Sequence, residues 1–205
     1  MNLALSNLQL IYAVCIILAY LAGSISSSIL IARALHLPDP RSLGSGNPGA
    51  TNMLRTGSKK AAALTLIGDL LKGLIPLLIA RYFGVELFVL CLMGMAATIG
   101  HMFPIYYRFC GGKGVATTLG VLLGINWMLA LVWVVTWVST AKLSGYSSVA
   151  ALVATALLPI AAYFINLPAA VIYLTGCIAI LVIWRHQSNI KNLLSGKETK
   201  INAKN

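Results

Sequence analysis

LQLIYAVCIILAYLAGSISSSILI, residues 8–31, contains no charged side chain. A transmembrane helix needs about 20 predominantly apolar residues, so this stretch is long enough to cross a bilayer. Further apolar runs follow it along the 205 residues, of which 59% are hydrophobic and only 9% are charged. An ordinary soluble domain carries about 25% charged residues. The sequence therefore predicts an integral membrane protein rather than a soluble helical bundle.

The later apolar runs are separated by short polar segments. They cover residues 61–80, 85–100, 115–141, 147–164 and 168–184. The run at 115–141 is long and contains a break signal, Gly124-Ile125-Asn126. No internal repeat divides the chain, so we expect one domain, residues 1–205, that ends in a polar tail at 186–205.

Basic residues predict the orientation of the spans. Of the 15 Lys and Arg residues, all but Lys72 and Arg81 lie in or beside residues 36–60, residues 101–113, Lys142 and the tail. The positive-inside rule places these segments in the cytoplasm and the N-terminus outside. An even number of crossings must then follow Lys113, which requires residues 115–141 to form two helices. We predict an all-α membrane bundle of seven transmembrane helices with a cytoplasmic C-terminus; five spans, with one apolar run that does not cross, is the alternative.

Composition also limits the chemistry. In a soluble protein the net charge of +11 would suggest nucleic acid, but here it indicates cytoplasmic loops that meet anionic ligands or lipids. Two-metal phosphotransferases need clustered carboxylates. The only acidic residues are instead dispersed: Asp39, Asp69, Glu86 and Glu198. Each histidine also lacks an aspartate five positions later, so the common His–Asp acyltransferase pattern is absent. We expect no metal and no other cofactor.

The first polar segment, residues 41–55, reads RSLGSGNPGATNMLR. Its glycines let the backbone turn tightly, and successive N–H groups in such turns form an anion-binding nest. Ser45, Thr51 and Asn52 add side-chain donors, and Arg55 adds a guanidinium group suited to phosphate oxygens. We predict anion binding here, with a cytoplasmic hinge loop as the alternative.

The second and third polar segments carry related chemistry. Lys113 stands among glycines at the start of an apolar helix, where its charge and the helix N-terminus both favour a phosphate. The alternative is an ordinary basic residue at the membrane edge. His186 and Asn189 share a helix face if the last span continues, although a solvated helix end is an equal alternative. Because one topology places all three segments in the cytoplasm, we expect them to form a single site.

Ionisable residues also occur within the spans and at their edges. Asp69 and Lys72 are three positions apart in the second apolar run. Intramembrane charges are costly unless they are paired, so these residues predict a structural ion pair. His101, at the end of the third run, is a candidate base, with an interfacial polar residue as the alternative.

The polar segments also resemble a known family. GSGNPGATNxLR, GHxFP…GGKGVAT and HxxNI…GxE look like the three signature segments of the bacterial acyl-phosphate:glycerol-3-phosphate acyltransferases, the PlsY family. The resemblance extends from residue 23 to about residue 198. Three positions depart from the family pattern: Ser26 replaces a frequent proline, Cys110 a common lysine and Gln187 a common arginine. The last two changes remove positive charges from accessory phosphate contacts.

The resemblance implies a seven-helix enzyme of phospholipid biosynthesis in the bacterial inner membrane, with its active site on the cytoplasmic side. A fatty acyl group would pass from acyl phosphate to glycerol 3-phosphate, giving 1-acyl-glycerol 3-phosphate (lysophosphatidic acid) and phosphate. The enzyme would work as a monomer, with membrane lipid but no nucleic acid as a partner. By motif position, the catalytic residues would be Ser45, Arg55, Lys113, His186 and Asn189. The substrate phosphates would be lined by Gly44, Gly46, Asn47, Gly49, Thr51, Asn52, Gly112 and Gly114. A membrane transporter of an organic phosphate is the alternative function.

Overall fold

The computed structural model describes residues 2–55 and 58–201, and all regular structure in these ranges is helical. The prediction of an all-α fold is therefore confirmed. The α-helices are α1 (Asn2–Gly23), α2 (Ser27–Ala34), α3 (Ala50–Arg55), α4 (Lys59–Tyr82), α5 (Leu87–Met102), α6 (Val115–Ile125), α7 (Trp127–Ser144), α8 (Ser147–Ala156), α9 (Leu158–Phe164), α10 (Ala169–Arg185) and α11 (Gln187–Leu194). Two short 3-10 turns occupy Pro40–Ser42 and Ile105–Tyr107.

Several of these helices are long and apolar enough to cross a bilayer. Within the described residues there are four such spans, or six if each of two bent helix pairs counts as one. The bent pairs are α1 with α2, at 44°, and α10 with α11, at 57°. The remaining apolar helix, α6, has 11 residues and is about 16 Å long, roughly half of the hydrocarbon core. The seven spans and their orientation therefore stay predictions.

The predicted break in the run at 115–141 lies between α6 and α7. Asn126 has extended backbone there, and its side chain accepts a hydrogen bond from the N–H of Leu129 at 3.1 Å, which caps α7. Arg81 donates to the carbonyl of Gly124 at 3.2 Å and so satisfies a carbonyl at the end of α6. The run forms two helices at the predicted break, because side chains cap both helix ends there.

Small residues let helix backbones touch. A Cβ atom at Gly120 of α6 would lie 2.0 Å from the carbonyl oxygen of Leu70 in α4. A Cβ atom at Gly23 of α1 would lie 2.2 Å from the carbonyl oxygen of Ala97 in α5. Close approach at small residues is a common way for membrane helices to pack, because apolar lipid provides little drive for larger side chains to associate. These contacts hold α6 against α4 and α1 against α5.

The predicted ion pair is present inside α4. Lys72 Nζ lies 2.9 Å from Asp69 Oδ1 and also donates to the carbonyl of Ile25 at 2.7 Å. Ile25 lies in the break between α1 and α2, where a carbonyl needs a partner from outside its helix. Both charged side chains are buried. The pair therefore limits the cost of two intramembrane charges and ties α4 to the α1–α2 break.

Gly120→Ala is expected to destabilise the bundle, because its new methyl group would meet the Leu70 carbonyl and force α4 and α6 apart. Overpacking of this kind typically costs about 1–3 kcal/mol. Thermal unfolding in detergent measures the effect. Gly176→Ala in α10 is the matched control, since nothing lies within 4 Å of the Cβ position there. Equal melting temperatures for the two variants would contradict the close approach.

Candidate functional site

A cavity of about 510 Å³ lies where the three polar segments meet. One part of its wall is polar and includes Ser45, Arg55, Lys113, His186 and Asn189. The structure thus brings all five residues that the motifs suggested as catalytic to one place. Another part of the wall is apolar and consists mainly of Leu66, Leu119, Trp133, Val134, Trp137 and Ala151. A basic compartment that adjoins an apolar one suits an amphiphile with an anionic head.

The buried side chain of Asn52 organises the first glycine-rich loop. Its Nδ2 donates to the carbonyls of Pro40 at 2.7 Å and Leu43 at 3.0 Å. Its Oδ1 accepts from the backbone N–H of Ser45 at 2.9 Å and from the Ser45 hydroxyl at 3.3 Å. The amide of Asn52 is therefore engaged within the loop, and it holds Ser45 at the wall of the cavity.

Two glycines are needed for the shape of this loop. Gly44 and Gly46 have φ values of +55° and +68°, a conformation that residues with a side chain adopt only with strain. A Cβ atom at Gly44 would also lie 2.4 Å from Oδ1 of Asn52. Five of the residues suggested as phosphate ligands line the cavity: Asn47, Gly49, Thr51, Asn52 and Gly114. The other three, Gly44, Gly46 and Gly112, lie outside its lining and shape the loops behind it.

His101 and Arg185 hold the second loop, which carries Lys113. The N–H of Gly112 donates to the carbonyl of His101 at 3.0 Å, and the Gly112 carbonyl accepts from Arg185 Nε at 3.1 Å. Arg185 Nη2 also donates to the carbonyl of Gly111 at 2.7 Å. A Cβ atom at Gly112 would lie 2.1 Å from Nε2 of His101, so only glycine fits against the ring. Lys113 therefore extends into the cavity from a loop that is fixed on both sides.

The half-buried ammonium of Lys113 donates to Oδ1 of Asn189. Burial lowers the pKa of Lys113 to about 8; the Glu198 carboxylate opposes this shift, whereas the charges of Arg55 and Arg185 add to it. Cations that are partly desolvated and repel one another are stabilised by an anion placed between them. The polar compartment is therefore suited to a phosphate group.

Part of the tail returns to this cavity, which the sequence did not predict. Beyond α11 the chain turns at Gly196, and Glu198 and Thr199 then lie in the cavity wall. Glu198 Oε1 accepts from Asn189 Nδ2 at 2.7 Å and from the Ser148 hydroxyl at 2.8 Å. The available signal was Glu198 itself, since an acidic residue in an otherwise basic tail closes the third motif.

Comparison with known proteins identifies relatives over almost the whole length. The family model of glycerol-3-phosphate acyltransferase matches residues 13–196. The glycerol-3-phosphate acyltransferase of Thioalkalivibrio sulfidiphilus is 50% identical over 91% of this chain and 92% of its own length. That of Methylobacillus flagellatus is 48% identical over 94% of this chain and 98% of its own length.

Solved structures show the same fold. The glycerol 3-phosphate form of PlsY (YgiH), an integral membrane glycerol 3-phosphate acyltransferase, superimposes with a TM-score of 0.87 at 39% identity. Its lysophosphatidic acid form superimposes with a TM-score of 0.86 at 38% identity. Each match covers 92% of this chain and 94% of the other.

Asn52→Leu is expected to loosen the first loop, because it removes the side chain that pairs with the backbone of Pro40, Leu43 and Ser45. A buried polar group left without a partner costs about 1–3 kcal/mol. The rate of tryptic cleavage after Arg41 measures the loosening, and thermal unfolding measures the loss of stability. Asn47→Leu is the control, since it replaces the same side chain at the cavity wall. An unchanged cleavage rate in Asn52→Leu would contradict the assigned role.

Proposed function

Because the chain belongs to the glycerol-3-phosphate acyltransferase family, we propose that it transfers a fatty acyl group to glycerol 3-phosphate. In this proposal the donor is an acyl phosphate, and the products are 1-acyl-glycerol 3-phosphate and inorganic phosphate. The observation that carries the proposal is the single cavity in which a basic, glycine-rich compartment adjoins an apolar one. The related PlsY structures are a glycerol 3-phosphate form and a lysophosphatidic acid form, which correspond to the acceptor and the product of this reaction.

An acyl phosphate donor suits the residues present. Its mixed anhydride already activates the carbonyl carbon, so the main task is to hold two mutually repelling anions together. Arg55 and Lys113 offset that repulsion, and the backbone N–H groups of the first loop add further donors. Holding the acceptor hydroxyl about 3 Å from the carbonyl carbon lowers the barrier by several kcal/mol. The hydroxyl oxygen attacks this carbon, the bond to the phosphate oxygen breaks, and the hydroxyl proton passes to a substrate phosphate oxygen.

His186 has a defined role in this proposal. Its Nδ1 lies 2.7 Å from the carbonyl of Val182, so Nδ1 carries the proton in the neutral ring. Nε2 is then an acceptor, and the residue lines the cavity beside Lys113. We assign it to orient a hydroxyl group of the acceptor. Ser45 and Asn189 complete the polar wall as ligands of the substrate phosphates.

The apolar compartment is assigned to the acyl chain. Trp133 is held there by a hydrogen bond from its Nε1 to the hydroxyl of Thr155 at 3.1 Å. Each buried methylene group of the chain contributes about 0.8 kcal/mol. Donor and product are both amphiphiles, so a site within the bacterial inner membrane, open to the cytoplasm, admits them from the bilayer. One chain supplies every residue of this site, and we infer that it acts as a monomer.

Purified protein with palmitoyl phosphate and glycerol 3-phosphate is expected to release phosphate and to form 1-acyl-glycerol 3-phosphate in equal amounts. Phosphate is measured colorimetrically and the lipid by mass spectrometry, with either substrate omitted as the control. Folded protein that forms no lipid would overturn the proposed activity. Lipid formation from an acyl thioester but not from the acyl phosphate would overturn the assigned donor alone.

In the wild type, kcat/KM is expected to fall as the pH rises through about 8. Below the lowered pKa of Lys113 its ammonium is charged and binds a substrate phosphate; above that pKa the charge is lost. Substrate phosphates titrate near pH 6 and so do not produce this decline. Lys113→Ala should lower kcat/KM at pH 7 by about 10²–10³-fold.

Lys142→Ala is the control for Lys113→Ala, because Lys142 is exposed on the last turn of α7 and lies outside the cavity lining. It should retain the wild-type kcat/KM and its pH dependence. A constant wild-type kcat/KM between pH 7 and pH 10 would exclude the proposed role of the Lys113 charge.

A further inference from the structure

Residues 196–201, the C-terminal strap, are tied to three separate parts of the molecule. The N–H of Ile201 donates to the carbonyl of Gly145 at 2.9 Å, between α7 and α8. Arg55 at the end of α3 donates to the carbonyl of Thr199 at 3.3 Å. Glu198 accepts from Asn189 of α11 and from Ser148 of α8. The strap is therefore a fixed wall of the cavity, although it follows the last helix and carries mostly polar residues.

The contacts of Glu198 determine which way the Asn189 amide points. A carboxylate oxygen accepts hydrogen bonds, so the Asn189 atom 2.7 Å from Oε1 must be the amide nitrogen. The amide oxygen of Asn189 is then on the opposite side, where it accepts from Lys113. A reversed amide would place its NH₂ group against the ammonium, donor against donor. The hydroxyl of Ser148 fixes the same carboxylate from a second direction.

We propose that Glu198 is a positioning residue: it holds the Asn189 amide so that the amide oxygen orients the Lys113 ammonium. The negative charge of Glu198 also favours the protonated form of that ammonium. This inference rests on the proposed acyl transfer, in which Lys113 binds a substrate phosphate. Glu198 needs no contact with substrate for this role, since it acts on Lys113 through Asn189 and through the electrostatic attraction of its carboxylate. The strap thereby supplies a negative charge that residues 41–55, 101–117 and 186–191 lack.

The charged groups around Lys113 make the effect of Glu198 measurable. Arg55 of α3 and Arg185 of α10 both lower the pKa of Lys113, as does its burial, and the Glu198 carboxylate raises it. The cavity is also lined by Lys59 and Asp69 of α4, by His101 of α5 and by His186. Removal of the Glu198 charge leaves Lys113 facing two guanidinium groups with less compensation. The alkaline decline of kcat/KM should then begin at a lower pH.

Glu198→Gln is the decisive variant, because it keeps an oxygen acceptor for Asn189 and Ser148 and removes only the charge. An opposite charge within a few ångströms shifts a pKa by about one unit or more. We expect the alkaline limb of kcat/KM to move down by about one pH unit. The variant should therefore be close to the wild type at pH 6 and about tenfold lower at pH 9.

Glu86→Gln is the matched control, since it removes an exposed carboxylate before α5, outside the cavity lining. Its alkaline limb should coincide with that of the wild type. Thermal unfolding of both variants shows whether a change in kcat/KM accompanies a loss of stability or occurs without one. If Glu198→Gln is less stable but keeps the wild-type limb, Glu198 supports only the fold and the inference is overturned.

A second variant keeps the test decisive if Glu198→Gln does not fold. The double variant Asn189→Asp/Glu198→Gln exchanges donor and acceptor, so the amide at position 198 donates to a carboxylate at position 189 beside Lys113. In this double variant, the alkaline decline of kcat/KM should begin at the same pH as in the wild type or at a higher pH. A decline that begins about one pH unit lower than in the wild type would refute the role of the charge. A wild type without turnover would instead overturn the proposed function, and the inference with it.

Discussion

The central constraint on this molecule is the cost of holding a positive charge in a cavity partly removed from water. The Lys113 ammonium is half-buried and has two guanidinium groups nearby, so burial and repulsion both oppose its charged form. Its hydrogen bond to Asn189 and the charge of Glu198 act in the other direction. A phosphate ligand would add the compensation that the protein alone supplies only in part, and this imbalance makes the cavity suited to an anion.

Much of the surrounding architecture serves to place that one charge. The backbone of Gly112 is clamped between the carbonyl of His101 and the guanidinium of Arg185, and only a glycine fits against the imidazole ring. The first loop is held in a comparable way by the amide of Asn52. In both loops a side chain satisfies backbone groups that no helix or sheet can satisfy. Glycine-rich segments, which lose much conformational entropy on ordering, are kept in one shape by these bonds.

The membrane setting explains why polar groups are concentrated at one end of the bundle. The Asp69–Lys72 pair and the carbonyl of Ile25 satisfy one another within the spans. In hydrocarbon an unpaired charge or carbonyl would be costly, and this arrangement reduces that cost. The apolar compartment lies next to the basic one in the same cavity, and α4 lines both, with Lys59 and Asp69 on one side and Leu66 on the other. An acyl chain and a phosphate can therefore be held in one cavity, each in surroundings of its own polarity.

The sequence by itself determined the helical class, the break at Asn126, the Asp69–Lys72 pair and the meeting of the three polar segments. These features depend on apolar run length, charge distribution and short-range spacing, which are properties of local sequence. Only the tertiary structure decided the bends between α1 and α2 and between α10 and α11, the engagement of Asn52 within its own loop, and the return of the strap to the cavity. The last of these joins Glu198 to Ser148, 50 positions away, through a hydrogen bond. Such contacts depend on where distant backbones come to lie, and neither periodicity nor composition encodes that placement.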